Sequence, residues 1–403
     1  MNKSLITEAF EEVDYLREKM PAFDVDFDFE RIPLMEKDEI VEDPLKLMAP
    51  CYLPLLHRGE LVRNDTSGST GKYMEVYWRK QDYIKSMYPL WFYRNYFYGI
   101  RTWDKMCRFY TISRVGVSEE MERYTKTGLE FSKNDLSEER LLDIYHKMEE
   151  FQPVWLLLQP CIAELLCFVK TKYQLPDLAS LRYIEMTGEE LTEELRERIR
   201  NCFHCPVANQ YGANEVNSIA YECPQGHLHC MEDNVYAEVL DDQGIPVADG
   251  VTGNIYVTTC HNHAMPLIRY GIGDRGSIEE NTCSCGHHGR ILKLRSGRKD
   301  DWIRMEDGRK INPYVFIRAI EAVNAIYERS IFQFQVIQRA YQDFLIRLAV
   351  DEEETADIRY CFLENIGDEE LKDAQYEFSF YEKLFPDMNG KRKFFISEMD
   401  HTV

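Results

Sequence analysis

Short apolar strand patterns alternate with helical patterns through the middle of this sequence. Residues 153–158 and 181–186 are apolar runs of strand length, and helical patterns follow them, beginning near Pro160 and at Leu191. Strands and helices that alternate in this way form a sheet with helices packed on its faces. The sequence therefore predicts an α/β fold.

The chain length and two changes of pattern indicate two domains. A chain of 403 residues exceeds one ordinary core. The pattern becomes β-rich between Tyr236 and Ile278, and a charged, glycine-containing stretch at 295–301 predicts a linker. The remainder predicts a small α+β unit with a helix over 312–325 and a polar tail after 363. We expect a large domain over residues 1–296, with mixed sheets and helices, and a small one over 297–403.

The charge of the chain excludes several classes of partner. The net charge is −22 at pH 7, whereas nucleic acids and anionic membranes require a basic face. No run approaches the roughly 18 apolar residues of a membrane span, and the N-terminus lacks the apolar core of a signal peptide. We expect a cytoplasmic protein that binds neither nucleic acid nor membrane, with its 12 cysteines unpaired.

A loop of hydroxyl groups, glycines and one lysine occupies residues 66–72, with the sequence Thr-Ser-Gly-Ser-Thr-Gly-Lys. Glycines allow backbone amides to approach an anion closely, and hydroxyls and the lysine add donors. A Walker loop requires a glycine at the position of Thr66, so this segment is not a P-loop. On its own, the pattern is equally consistent with a phosphate loop and with a flexible surface turn.

Four further motifs follow this loop in a fixed order, and together they carry a resemblance. They are Gln210-Tyr211-Gly212-Ala213-Asn214-Glu215, Tyr270-Gly271-Ile272-Gly273-Asp274, Gly297-Arg298-Lys299-Asp300-Asp301 and Asn389-Gly390-Lys391. The chain resembles the adenylate-forming superfamily, which includes acyl-CoA synthetases, peptide synthetase adenylation domains and luciferases. The segment 264–270 and the cysteine-rich segments near Cys223 and Cys283 resemble its phenylacetate-CoA ligase branch.

The resemblance implies an AMP-forming acid–thiol ligase. Such an enzyme uses ATP and Mg²⁺ to convert a carboxylic acid to its acyl-AMP, then passes the acyl group to coenzyme A. Packing between helices is the commoner explanation of the aromatic run at 91–98, whereas a pocket lined by Tyr98, Trp155 and their neighbours would suit an aryl acid such as phenylacetate. Two alternatives remain: transfer to a carrier-protein thiol or an amine, and an inactive zinc-stabilised scaffold. Relatives imply a homodimer.

The resemblance also implies a role for each motif residue. Lys391, Glu215 and Lys72 are the predicted catalytic residues, Glu215 also holds Mg²⁺, and Asp300 is the hinge of a mobile small domain. Asp274 is expected to accept hydrogen bonds from the ribose hydroxyls. The complete set predicted to bind ATP or AMP is Thr66, Ser67, Gly68, Ser69, Thr70, Gly71, Gly188, Glu189, Tyr211, Gly212, Asn214, Asp274 and Arg298. Asn214 and Ile272 replace the threonines usual in the family, which is what gives the inactive scaffold its weight.

Two short clusters of cysteine and histidine flank the β-rich stretch, at 223–230 and 283–288. Thiolate and imidazole donors suit tetrahedral Zn²⁺, and four protein donors would make the ion structural because no position stays open for water. The predicted ligands are Cys223, His229, Cys283 and Cys285, with His227 and Cys230 as substitutes. Ordinary surface cysteines and histidines are the competing interpretation.

Overall fold

The computed structural model describes residues 1–24, 29–41, 43–65, 74–110, 121–133, 136–280, 282–295, 303–311, 313–326, 331–350, 355–366, 369–382, 384 and 394–401. The chain divides into two compact units, Met1–Arg295 and Ser296–Val403. Among the helices of these described ranges, none is long and apolar enough to cross a membrane. All twelve cysteines are free thiols, as the sequence predicts.

The helices of the first unit begin and end at recognisable signals. Ser137 and Thr192 each accept a hydrogen bond from a backbone N–H in the first turn of the helix that follows. The longest helix ends at Gly99, which has a positive φ. The helices are α1 Lys3–Glu12, α2 Asp14–Lys19, α3 Lys37–Val41, α4 Leu53–His57, α5 Lys80–Tyr98, α6 Glu138–Phe151, α7 Pro160–Lys172 and α8 Glu193–Phe203.

The first unit contains a two-stranded hairpin and a sheet of twelve described strands. The hairpin consists of β1 Val62–Asp65 and β2 Glu75–Trp78, which pair antiparallel. The sheet consists of β3 Met106–Tyr110, β4 Glu122–Tyr124, β5 Gly128–Ser132, β6 Trp155–Leu158, β7 Tyr183–Thr187, β8 Val207–Ala213, β9 Asn217–Glu222, β10 Leu228–Cys230, β11 Val235–Leu240, β12 Gly253–Thr259, β13 Tyr270–Glu279 and β14 Ile291–Arg295.

The direction of the strands changes in the middle of this sheet, whose order is β11-β12-β13-β14-β10-β9-β8-β7-β6-β3-β5-β4. Strands β5, β3, β6, β7 and β8 run parallel, whereas β9 is antiparallel to β8 and the strands beyond it continue the antiparallel pattern. The carboxyl ends of parallel strands are the usual place for a ligand site in α/β sheets. The predicted α/β fold with mixed strands is confirmed.

Two hydrophobic cores support the two halves of this sheet. Helices α6, α7 and α8 cover the parallel half with buried residues such as Ile144, Leu166 and Ile199. The N-terminal segment packs against the antiparallel half, where Phe10 and Met35 lie in one cluster with strand residues. The N-terminal segment is therefore part of the same hydrophobic core as the antiparallel strands.

The second unit is a separate α+β structure with its own aromatic core. Its elements are β15 Ile303–Arg304, β16 Lys310–Ile311, α9 Tyr314–Ile326, β17 Ile331–Ala340, β18 Asp343–Val350, α10 Thr355–Glu364, α11 Glu369–Lys372, β19 Gln375–Tyr381 and β20 Phe395–Ser397. Four strands form a sheet in the order β19-β18-β17-β20. The predicted polar tail is wrong, because β19 pairs with β18 and Phe395 of β20 is buried among Phe316, Phe344 and Phe362.

Candidate active site

Two motifs that lie 63 residues apart in the chain meet at the end of β8. The hydroxyl of Tyr211 donates a hydrogen bond of 2.8 Å to Oδ2 of Asp274, which lies on β13. The next residue, Gly212, lies close to the neighbouring backbone, and a Cβ there would come within 2.4 Å of the carbonyl oxygen of Asn217. Only glycine fits this position without moving the backbone. The tyrosine and the aspartate predicted to contact a nucleotide are therefore held as a pair.

The side chain of Glu215, four residues after Tyr211 in the chain, is only 8% exposed. Its Oε1 accepts hydrogen bonds from Nζ of Lys37 at 3.1 Å and from the hydroxyl of Tyr270 at 3.3 Å. The ammonium of Lys37 balances the charge of this buried carboxylate, and carboxylate oxygens are hard donors of the kind that Mg²⁺ prefers. The magnesium role of Glu215 stays a prediction. Lys37 was not predicted, because an isolated lysine near the N-terminus carries no sequence signal.

The predicted phosphate loop, residues Thr66–Lys72, lies outside the described residues, but both of its flanks are described. On the entry side, Nδ2 of Asn64 donates to the carbonyl of Asn214 at 3.1 Å. On the exit side, Sδ of Met74 lies 3.9 Å from the hydroxyl of Tyr270. Both described flanks of the loop thus lie near Glu215. Arg298, Asp300 and Lys391 also fall outside the described residues, and their roles stay predictions.

Gly188 and Glu189 form the turn after β7, and the glutamate side chain has a structural partner. Gly188 has a φ of +83°, a backbone conformation that favours glycine. The carboxylate of Glu189 accepts hydrogen bonds from the backbone N–H and the thiol of Cys161, both at 3.0 Å. Glu189 therefore caps the N-terminus of α7 and fixes the turn. The predicted adenine contact of this turn stays a prediction.

The aromatic run of α5 packs partly into the protein core, while Phe92 and Tyr96 are exposed. Trp91 and Trp155 make an edge contact with ring centroids 6.0 Å apart, and Tyr98 stacks on Tyr183 at 4.4 Å. Trp155 is 1% exposed. Arg94 lies among these rings and pairs with Glu185. The side chains that favoured an aryl acid in the sequence are thus occupied by packing against one another.

The four predicted zinc ligands lie together at the far end of β9. Ligand atoms of Cys223, His229, Cys283 and Cys285 lie within 4.8 Å of one another. Sγ of Cys223 is 3.7 Å from Sγ of Cys283. Two sulfurs that are each about 2.3 Å from a tetrahedral zinc ion are about 3.8 Å apart, so the spacing fits that ion. Cys230, one of the proposed substitutes, lies instead in the hydrophobic core, whereas Nδ1 of His227 is 3.2 Å from Sγ of Cys283.

Hydrogen bonds identify which histidine nitrogens are available to a metal. Nδ1 of His229 lies 3.0 Å from the carbonyl oxygen of Gly289, which only accepts, so Nδ1 carries the proton and Nε2 keeps its lone pair. That Nε2 is 3.3 Å from Sγ of Cys285. His287 has both nitrogens in use, since Gly289 N–H donates to Nδ1 and Tyr93 contacts Nε2. His229, rather than His287, therefore completes the donor set.

Burial keeps several groups of this cluster neutral. It raises the pKa of the Cys285 thiol to about 11 and also raises the pKa of Cys223. The pKa of His287 is lowered by burial and by its neighbours His229 and His288. A bound cation would favour the thiolates, so metal binding and proton release are coupled at this site.

The models of two known families match separate parts of this chain, one within each compact unit. The model of the AMP-binding enzyme family matches residues 66–265, and that of the CapK C-terminal domain matches 303–398. A phenylacetate-coenzyme A ligase of Thermus thermophilus is 29% identical over 238 residues, which are 57% of this chain and 51% of that protein. The match thus spans about half the length of that relative. Protein CapK of Staphylococcus aureus is 24% identical over 389 residues, 92% of this chain and 80% of CapK.

The fold is also found among solved structures. A 2-hydroxyisobutyryl-CoA ligase, in its postadenylation state, superposes with a TM-score of 0.77 at 17% identity and covers 99% of this chain and 88% of its own. Over residues 66–265 the chain belongs to the AMP-binding enzyme family, and its similarity to phenylacetate-CoA ligases relates it to that branch of the adenylate-forming enzymes.

Proposed function

We propose that this protein activates a carboxylic acid with ATP and transfers the acyl group to the thiol of coenzyme A. The observation that carries the proposal is the hydrogen bond from Tyr211 to Asp274, with Glu215 four residues after Tyr211 and bonded through Tyr270 to the strand of Asp274. Family membership supplies the reaction class, and the matched ligases supply the acceptor. The three side chains provide the acceptor and donor groups that a nucleotide and its metal ion require.

In the proposed first step, a carboxylate oxygen of the acid attacks the α-phosphorus of ATP. The bond from that phosphorus to the bridging oxygen breaks, and pyrophosphate leaves with the electron pair. Asp274 orients the ribose by accepting its hydroxyl hydrogens, and Tyr211 fixes the carboxylate of Asp274. Bound Mg²⁺, held by Glu215, would neutralise charge on the phosphates. By resemblance, Lys391 contributes positive charge beside the reacting phosphorus.

In the second step, the sulfur of the acceptor thiol attacks the acyl carbonyl carbon. AMP leaves with the electron pair of the anhydride bond, and the thiol proton passes to solvent. Movement of the small domain about Asp300 between the two steps belongs to the proposal, because the family uses such a hinge.

We also propose that Cys223, His229, Cys283 and Cys285 hold a structural zinc ion. The sulfur spacing and the tautomer of His229 support this assignment. The site closes the β9–β10 hairpin onto the loop before β14, and β9 begins two residues after Glu215. Zinc would therefore stabilise the strand that follows the candidate magnesium ligand.

A second acceptor deserves equal testing. The small unit matches the CapK C-terminal domain, and the CapK relative covers more of this chain than the Thermus ligase does. Since the small domain of such enzymes contributes to the second step, a different small domain is consistent with a different acceptor. Transfer to a carrier-protein thiol or to an amine is therefore the second candidate function.

The proposal does not specify which carboxylic acid is the substrate. Tyr98 and Trp155 are core residues, so the aryl acid rests on the phenylacetate-CoA ligase relatives rather than on these side chains. We therefore include short aliphatic and hydroxylated acids beside aryl acids in the test. We expect Trp155→Phe to change stability and not the order of preferred acids.

Exchange of labelled pyrophosphate into ATP tests the first step without any acceptor. Acid-dependent exchange is expected from the wild type and is expected to fall at least about a hundredfold in Asp274→Asn, Glu215→Gln and Lys391→Ala, because each removes a group that acts in the first step. Glu197→Gln, an exposed glutamate paired with Arg200, is the matched control. Exchange that is absent for every acid in a folded, zinc-containing sample would favour the inactive scaffold. Mass analysis with coenzyme A, carrier protein or amine then identifies the acceptor.

A further inference from the structure

Lys37 reaches the candidate magnesium ligand from a part of the chain that carries none of the family motifs. Its ammonium group donates to Oε1 of Glu215 at 3.1 Å, and the lysine side chain is 31% exposed while the glutamate is 8% exposed. The adjacent residue Glu36 accepts a hydrogen bond of 2.6 Å from Tyr256. The bond from Tyr256 holds Glu36 in place. Lys37, the next residue, thus presents its positive charge to the buried carboxylate of Glu215.

The segment before Lys37 is attached to β13 by backbone pairing. Met35 N–H donates to the carbonyl of Arg269 at 3.0 Å, and Gly271 N–H donates to the carbonyl of Met35 at 2.9 Å. The guanidinium of Arg269, itself 2% exposed, donates to the carbonyls of Glu30 and Ile32. These bonds align the segment parallel to the start of β13. The position of Lys37 is therefore set by the same strand that carries Tyr270 and Asp274.

Two cations cannot share one oxygen of a buried carboxylate at low cost, because like charges repel strongly where water is excluded. The ammonium of Lys37 and a divalent ion therefore compete for Glu215. Lys37 has the reach of a flexible four-carbon stem and is partly exposed, so it has room to exchange partners. A polyphosphate bound beside Glu215 would offer it a new anionic partner.

We propose that Lys37 is a positioning residue that competes with the divalent cation for Glu215 and turns to the polyphosphate when the metal–nucleotide complex binds. This rests on the proposed function, since it takes the metal and the nucleotide from it. The lysine orients the carboxylate, and it sets the metal concentration that the site requires. Its loss is expected to strengthen the binding of metal alone and to weaken the binding of nucleotide.

The test measures binding rather than turnover. Mn²⁺ binding to the zinc-containing protein is followed by electron paramagnetic resonance for wild type, Lys37→Met, Glu215→Gln and the double variant. Lys37→Met is expected to bind Mn²⁺ about fivefold more tightly and ATP, by calorimetry, about tenfold more weakly. Glu215→Gln should abolish the gain in the double variant, as expected for residues that act on each other. Lys37→Arg should restore wild-type behaviour in part, and Lys85→Met, an exposed lysine on α5, is the matched control.

Unchanged or weaker Mn²⁺ binding in Lys37→Met would overturn the proposal, as would a gain that persists without Glu215. Lys37→Gln serves as a second variant if Lys37→Met does not fold, as judged by thermal unfolding. The outcome is separable from that of the proposed function. A gain in Mn²⁺ binding with no pyrophosphate exchange supports Lys37 and contradicts adenylation, whereas exchange without any gain supports adenylation and overturns the role of Lys37.

Discussion

The hydroxyl of Tyr211 donates a 2.8 Å hydrogen bond to the carboxylate of Asp274, joining the end of one strand to the interior of another. Because the two residues belong to different motifs, their contact depends on how the sheet brings the two motifs together. The pair connects the parallel half of the sheet, through β8, to the antiparallel half, through β13.

Removing this hydroxyl should affect nucleotide binding more than stability. We expect Tyr211→Phe to weaken ATP binding about fivefold to tenfold, because Asp274 loses the donor that orients it. The unfolding free energy should fall by only about 1 kcal/mol, the usual value of one such hydrogen bond. Calorimetric titration with ATP and denaturant unfolding provide the two readouts.

Tyr124→Phe is the matched control for that change, since Tyr124 is an exposed tyrosine that donates to the carboxylate of Glu122 at 3.0 Å. It should leave ATP affinity unchanged. Equal ATP affinity in Tyr211→Phe and wild type would show that the hydroxyl has no part in binding the nucleotide.

The zinc proposal predicts one ion per chain in the purified protein. Cys223→Ser and Cys285→Ser should lose the metal and lower the midpoint of thermal unfolding by about 5 °C or more, because metal binding contributes to folding. Cys51→Ser, at an exposed cysteine outside the donor set, is the control. Elemental analysis and a melting curve in chelator are the measurements. Wild-type protein without zinc, with the same midpoint in chelator, would contradict the assignment.

The affinity of the zinc site should fall as the pH falls. The pKa of Cys285 is about 11 and that of Cys223 is raised by burial, so the ion must displace protons from both thiols. Lower pH raises the concentration of the competing protons. Zinc titrations between pH 6 and pH 8, in the presence of a competing chelator, should show tighter binding at the higher pH. A pH-independent affinity would exclude thiolate ligands.

The buried pair Arg94–Glu185 should be a large determinant of stability. Arg94 donates to both carboxylate oxygens, at 2.8 and 2.5 Å, and Tyr221 donates a third hydrogen bond to Glu185. Removing one partner leaves the other charge buried, so Glu185→Gln and Arg94→Met should each cost about 3–5 kcal/mol. Denaturant unfolding measures the loss.

The double variant Arg94→Met/Glu185→Leu should lose less than the sum of the two single changes, because it leaves no unpaired charge behind. Glu60→Gln, which removes an exposed partner of Arg58, should not move the unfolding midpoint. Additive losses in the double variant would show that the two charges do not depend on each other.

Stability should decrease at alkaline pH because of the buried thiol of Cys205. Burial raises its pKa to about 12, whereas a thiol in the unfolded chain ionises near about 8.5. Between these values the folded protein binds more protons than the unfolded chain, so the free energy of unfolding falls as pH rises. The thiol contributes at most about 1.4 kcal/mol per pH unit. Comparing Cys205→Ala with wild type from pH 8 to pH 10.5 should show a smaller slope for the variant.

The sequence predicted those parts of the fold that depend on local pattern. The α/β alternation and the four cysteine and histidine ligands both rest on spacing that survives in the structure. The missed elements depend on a partner. Strand β19 reads as a polar tail because its alternate residues are polar, and its pairing with β18 makes it a strand. For the aromatic run the sequence favoured packing over a ligand pocket, and Trp91 of α5 packs against Trp155 of β6.

By itself, the sequence determined the superfamily, the order of the motifs and the types of donor at each site, because these follow from residue identity and spacing. Only the tertiary structure decided which of them meet. In the structure Tyr211 donates a hydrogen bond to Asp274, and Cys230 lies in the hydrophobic core rather than in the metal cluster. Lys37 contacts Glu215, which lies 178 positions later in the sequence. Such contacts arise from strand pairing and burial, which join residues that no local pattern connects.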